Sequence, residues 1–170
     1  MKPDELRAMQ APLKTRYKED AGAARLTLRA HGDLSGEGIA CSVDTGRALV
    51  EAGLHPYTGG SGMQACSGDM LLQALVACAG VTLRAVATAL GIDVRGGKVE
   101  AEGDLDFRGT LGVAKDAPVG FHAIRLHFTV DSDAPRAELD KLLQLTERYC
   151  VVLQTLRAAP AVAADLATAR

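Results

Sequence analysis

Apolar and polar residues alternate strictly along Arg25–His31, with Leu26, Leu28 and Ala30 on one face and Thr27, Arg29 and His31 on the other. A period of two is the mark of a half-buried strand. Gly32-Asp33-Leu34-Ser35-Gly36 carries turn chemistry, and Gly38–Asp44 alternates again with Ile39, Cys41 and Val43 together. The two runs predict a hairpin. The glycine-rich stretch Thr45–Gly62 predicts a loop, with one helical turn around Ala48–Ala52.

From Ser67 the pattern changes. The run SGDMLLQALVACAGVTLRAVATAL is apolar on nearly every side, which predicts a long helix through the middle of the fold rather than over its surface. Ser67 is its expected N-cap, Asp69 suits the positive end of its dipole, and Gly91 is its expected end. Lys98–Phe107 alternates with Val99, Ala101, Leu105 and Phe107 inward, and His122–Val130 with Ile124, Leu126, Phe128 and Val130 inward. Both predict strands. Ser132-Asp133-Ala134-Pro135 opens a second helix with proline in its first turn; it carries Leu139, Leu142, Leu143 and Leu145, and continues or restarts at Cys150. Residues 3–18 predict a short amphipathic helix broken at Pro12, and the tail after Pro160 a last edge strand.

Hairpin, central helix, further strands and second helix make an α+β domain with antiparallel sheet and segregated helices. The expected organisation is an N-terminal helical arm over residues 1–20 and a single domain over residues 21–170. A doubly wound nucleotide fold is disfavoured, because strands and helices do not alternate regularly and GxGxxG is missing.

Composition removes several functions. The 19 basic and 21 acidic residues are well mixed, leaving no basic stripe for nucleic acid. With 4% aromatic residues and no tryptophan, stacking platforms for bases are absent too. The stretch Met70–Leu90 is long enough to span a bilayer, but Arg84 and Thr88 oppose insertion, so no membrane is expected. The charged N-terminus is not a signal peptide, which points to the cytoplasm. Cys41, Cys66, Cys78 and Cys150 are then reduced at rest, and a disulfide among them is catalytic rather than structural. No CxxC pair and no zinc-like spacing with the four histidines occur, so neither metal nor cofactor is expected.

Cys78 near the centre of the long helix and Cys150 at the end of the second, or the start of a third, meet in the interior if the helices pack side by side. Two readings of such thiols stand open. A buried cysteine is an inert small hydrophobe, or it is a nucleophile whose thiolate is stabilised by its surroundings.

The Leu/Ala-rich helix bearing Cys78 and followed by Thr82-Leu83, the double glycine Gly59-Gly60 before it, and Cys150-Val151-Val152-Leu153-Gln154-Thr155-Leu156 resemble the OsmC/Ohr family of osmotically inducible and organic-hydroperoxide-resistance proteins. The resemblance runs from about Arg25 to Val162 and is most specific in the two cysteine helices. It implies an intertwined homodimer with a long buried central helix, and a two-cysteine peroxidase. Cys78 would attack an organic hydroperoxide and become a sulfenic acid. Cys150 would condense with it to a disulfide, which a dithiol reductant reopens. In the peroxidase branch an arginine and a glutamate help the first thiol ionise, the glutamate ten residues earlier, where this chain has Gly68. Asp69 is the acidic candidate one place on, and Arg29 or Arg47 the basic one. Val151 stands where the second motif has proline, and Cys66 has no counterpart. The rival reading is a non-catalytic OsmC-like protein that binds a small apolar ligand at the dimer interface.

Overall fold

Ser67–Leu90 is one unbroken α-helix, and the other elements are arranged along it. We describe the chain from a computed structural model over residues 2–19, 32–33, 40–44, 49–112 and 114–168, with 32–33, 40–44 and part of the first helix described by backbone alone. The elements are α1 (Pro3–Glu19), β1 (Gly32–Asp33), β2 (Ala40–Asp44), β3 (Leu49–Gly53), β4 (Ala65–Cys66), α2 (Ser67–Leu90), β5 (Gly96–Asp104), α3 (Phe107–Thr110), β6 (Ala123–Asp131), α4 (Arg136–Tyr149) and α5 (Val151–Arg157). The α+β class read from the pattern is the class observed.

A four-stranded sheet runs β1-β2-β3-β4 and a two-stranded one pairs β5 with β6. The expected first strand, Arg25–His31, lies outside the described residues. The pairing of β1 with β2 is antiparallel, as a hairpin requires, but Gly32 and Asp33 belong to the strand rather than to the turn. The helical turn expected at Ala48–Ala52 is strand β3. Its five residues pair antiparallel with all of β2, Cys41 opposite Ala52, and this ladder overrides the local preference of alanine. One pairing is parallel: β4 lies beside β3, Ala52 opposite Ala65. That pairing keeps Cys66 extended (φ −81°, ψ 129°), so Cys66, not Ser67, is the N-cap of α2.

Other boundaries also shift for local reasons. Strand β5 stops at Asp104, before Leu105 and Phe107, because the Asp106 carboxylate caps α3 by accepting the Arg108 N–H at 3.0 Å. Pro135 is the N-cap of α4 rather than part of its first turn. Helix α1 runs through Pro12 instead of breaking there, at the loss of one internal hydrogen bond, and buries Leu6. Residues 158–168 form no strand. At Gly91 the expected helix end holds: φ is 72° and its N–H closes onto the Ala87 and Thr88 carbonyls.

The inward residues of β5 and β6 are the predicted alternating set, in register Val99 with Phe128 and Ala101 with Leu126. They pack under α2 in two clusters. One joins Leu83, Val86 and Ala87 to Ile92, Val94 and Leu142; the other joins Leu75, Ala79 and Cys150 to Ile124, Leu126, Leu153 and Leu156. Leu75, wholly buried, contributes about 1.5–3 kcal/mol of burial free energy.

The expectation that α2 is enclosed on all sides is met on one side only. Its Leu75, Ala79, Leu83, Val86 stripe is buried against α4, α5 and β5. The stripe Ala74, Ala77, Val81, Ala85 is exposed, Val81 by 72%. Those positions recur at helical spacing, so they form a continuous apolar face that a single chain leaves uncovered.

Candidate functional site

The site is built where α4 breaks. Helix α4 ends at Tyr149, Cys150 takes an extended conformation (φ −71°, ψ 107°), and α5 starts at Val151. The bend is present without the proline of the family motif, and three contacts hold it. The Cys150 N–H still donates to the Thr146 carbonyl at 2.9 Å, and Gln154 Nε2 donates back to the Glu147 carbonyl at 2.7 Å. Arg157 pairs with the Glu147 carboxylate at 3.0 Å. Together they fold α5 against α4 and present its free N-terminal N–H groups to α2.

Cys78 of α2 lies at that point. Its side chain packs against Cys150 in one cluster with Leu75 and Ala79, both cysteines free, Cys78 half-buried and Cys150 wholly buried. Burial pushes the Cys78 thiol up, but the Val152 N–H, the Cys150 thiol, the Val151 N–H and the Thr82 hydroxyl all favour its thiolate and together hold it below the ordinary thiol value. For Cys150, burial and the Cys78 sulfur beside it win over the Leu153 and Val152 N–H groups, and the thiol is held above that value. The pair thus has one proton that leaves early and one that stays. The half-buried thiol is the more acidic.

Asp69 is not part of this arrangement within one chain. It stands in the first turn of α2, about two and a half turns from Cys78, on a separate cavity of about 570 Å³ walled by His55, Tyr57, Phe107 and Phe121. There the His55 and Phe107 rings stack with centroids 4.9 Å apart. Cys66 and Gly68 line the same cavity, and a β-carbon at Gly68 would meet Phe121, Cys66 and Leu105 at ordinary contact distances. Arg25, Arg29 and Arg47 lie outside the described residues. Arg84 is turned away, donating to the Val94 carbonyl at 2.7 Å. Among the described residues no group of three or more His, Cys, Asp or Glu side chains converges as a metal site would require.

Sequence reasoning singled out both thiols but not their donors. The Val151 and Val152 N–H groups carry no side-chain signature, and they become visible only once the helix break is seen. Thr82 did carry one, a hydroxyl four residues after the cysteine in an otherwise apolar helix. A second cavity of about 440 Å³ is lined by Phe121, His122, Ile124, Leu126, Leu153 and Leu156 and rimmed by the Glu147–Arg157 pair; neither cysteine lines it, but Ile124, Leu126, Leu153 and Leu156 also belong to the cluster around Cys150.

A small α+β domain in which a long central helix and a broken second helix bring two thiols together is the class of protein this fold defines. The family model described as OsmC-like protein matches residues 60–165, well over half of the chain, and the chain belongs to the OsmC/Ohr family. Its fold is similar to that of an OsmC-like protein from Mycoplasma pneumoniae, at 17% identity, TM-score 0.66, 79% of this chain and 89% of that one. An organic hydroperoxide resistance protein from Elizabethkingia anophelis matches at 16% identity and TM-score 0.62, over 79% of this chain and 92% of that one. The organic hydroperoxide resistance protein OsmC from Legionella pneumophila matches at 15% identity and TM-score 0.61, over 79% and 93%. Among curated proteins none matches the chain in sequence.

Proposed function

We propose that the chain is a thiol-dependent peroxidase for organic hydroperoxides, working through Cys78 and Cys150. The observation that carries this reading is the contact between the two thiols with opposite shifts, the half-buried one favouring its thiolate and the buried one its proton. The Cys78 thiolate attacks the terminal peroxide oxygen, the O–O bond breaks, and Cys78 becomes a sulfenic acid. The leaving alkoxide takes the Cys150 proton and departs as the alcohol. The Cys150 thiolate then attacks the Cys78 sulfur, a disulfide forms, and hydroxide leaves to be protonated by solvent. A dithiol supplies the two electrons that restore the pair.

The apolar side chains packed around the pair, Ile124, Leu126, Leu153 and Leu156 among them, support a bulky organic hydroperoxide over hydrogen peroxide, since a hydrocarbon tail against them is favourably buried. The uncovered stripe of α2 supports a homodimer. Cys78 borders Ala77 and Val81 on that helix, so a second copy covering the stripe would also close the site. Solved relatives described as organic hydroperoxide resistance proteins point the same way.

The test is mass spectrometry with peptide mapping on reduced protein after one equivalent of cumene hydroperoxide, with hydrogen peroxide in parallel. A Cys78–Cys150 disulfide, faster with the organic oxidant, is the expected result. Thiols that stay reduced, or oxidation confined to Cys66, would overturn the reading in favour of a ligand-binding protein.

A further inference from the structure

Thr82 lies one turn after Cys78 on α2 and is half-buried. Its hydroxyl donates to the Cys78 carbonyl at 2.8 Å, its i+4 position puts it on the same helix face as the Cys78 side chain, and it favours the Cys78 thiolate. Two other threonines make the same bond one turn back, Thr88 to Arg84 and Thr146 to Leu142, each at 2.8 Å. Neither of those has a thiol as a second acceptor one turn back. The backward bond is therefore ordinary helix chemistry. The choice between two acceptors is particular to Thr82.

We propose that Thr82 is a positioning residue whose hydroxyl proton turns from the Cys78 carbonyl to the Cys78 sulfur when the thiol ionises, and turns back when the sulfur's charge is lost. A hydroxyl has one proton and the two acceptors compete for it. While the sulfur is protonated, the carbonyl is the better acceptor. Once the sulfur is an anion, a charge-assisted bond to it is about twice as strong as a neutral one. The carbonyl it leaves behind keeps its ordinary intrahelical bond, so the switch strands no buried group. The rotation also fixes the thiolate on the α5 side of the helix, facing Cys150 and the Val151 and Val152 N–H groups.

The surroundings leave this role open. The strands packed on α2 turn Lys98, Glu100, Glu102, Arg125 and His127 to the opposite face of the sheet, and Glu147 and Arg157 on α4 and α5 bond each other. On α2 itself, Arg84 holds the Val94 carbonyl and Asp69 stands in the first turn. Among the described residues the titratable side chain against Cys78 is Cys150.

The inference rests on Cys78 being the reactive thiol of the proposed peroxidase, and its test uses no peroxide. Alkylation of the full-length protein by iodoacetamide, resolved at Cys78 by peptide mapping, is followed across the pH range in which thiols ionise. Thr82→Val, which keeps the shape and removes the hydroxyl, should move the Cys78 profile to higher pH. Its alkylation at neutral pH should be about two- to threefold slower. Thr82→Ser should restore the original profile. Coincident profiles for Thr82→Val and the unmodified chain would overturn the proposal, as would equal shifts in Val and Ser, which would assign the effect to the methyl group. If Thr82→Val does not fold by circular dichroism, Thr82→Ala against Thr82→Ser makes the same comparison. A hydroxyl-dependent profile in a protein that forms no disulfide with cumene hydroperoxide would uphold Thr82 and sink the peroxidase.

Discussion

Cys66 and Cys150 occupy the same backbone position, the extended residue before the first turn of a helix, and neither makes a side-chain cap. Cys66 opens the longer helix, 24 residues against 7, and so stands at the larger summed dipole. Yet Cys66 faces a wide cavity with no second thiol, whereas Cys150 is wholly buried against Cys78. Helix length alone therefore does not make a redox site. The short helix matters because its first N–H groups reach a sulfur on another element, and because a bend at Cys150 brings that sulfur within reach. At α2 the first turn meets only a cavity.

The sharpest way to break this contrast is Cys78→Ser, which should reduce hydroperoxide consumption by at least about a hundredfold; a peroxide assay that finds residual turnover would move the chemistry elsewhere. Cys150→Ser should leave one fast oxidation and then stop, with a sulfenic acid at Cys78 that dimedone traps and excess oxidant carries to the sulfinic state. Continued cycling would mean that Cys150 does not resolve. Leu75→Ala, beneath the pair and fully buried, should cost about 2–5 kcal/mol in urea unfolding and slow disulfide formation with it.

The pH dependence follows from the opposite shifts. Because the Cys78 thiol is held low, its oxidation rate should rise with pH through that lowered value and level off below the range where an ordinary thiol ionises. Because the Cys150 thiol is held high, it stays protonated across the same interval and can still donate. A rate that rises only where an ordinary thiol ionises would remove the basis of this reading. Val151→Pro gives a smaller effect: proline suits the first helical position and the extended residue before it, so the bend should survive while the lost N–H slows Cys78 alkylation a few-fold. The smallest effect belongs to Cys66→Ser, within about twofold of the unmodified rate, since it touches neither thiol.

How far the sequence reads through to the structure depends on how local the cause is. Helix α2 was legible from its long apolar run, and strand β6 and most of β5 from the alternation of polar and apolar residues. Strand β3 was not, since Leu49–Gly53 is extended only because β2 lies beside it. The two thiols were legible from their motifs, but their meeting depends on a bend whose usual proline is absent. Asp69 looked like a candidate by order along the chain, and the helix carries it to a different cavity.

The donor at Val151 has a consequence for how this site tolerates change. The bond comes from the main chain, and every residue type except proline supplies it. The Val151 side chain itself is 71% exposed and makes no demand on the position. Substitutions can accumulate there without the sulfur registering them. An insertion or deletion between Thr146 and Gln154, by contrast, would move the bend and withdraw several donors at once. The chemistry at Cys78 is robust to which side chains the segment carries and sensitive to where the segment turns.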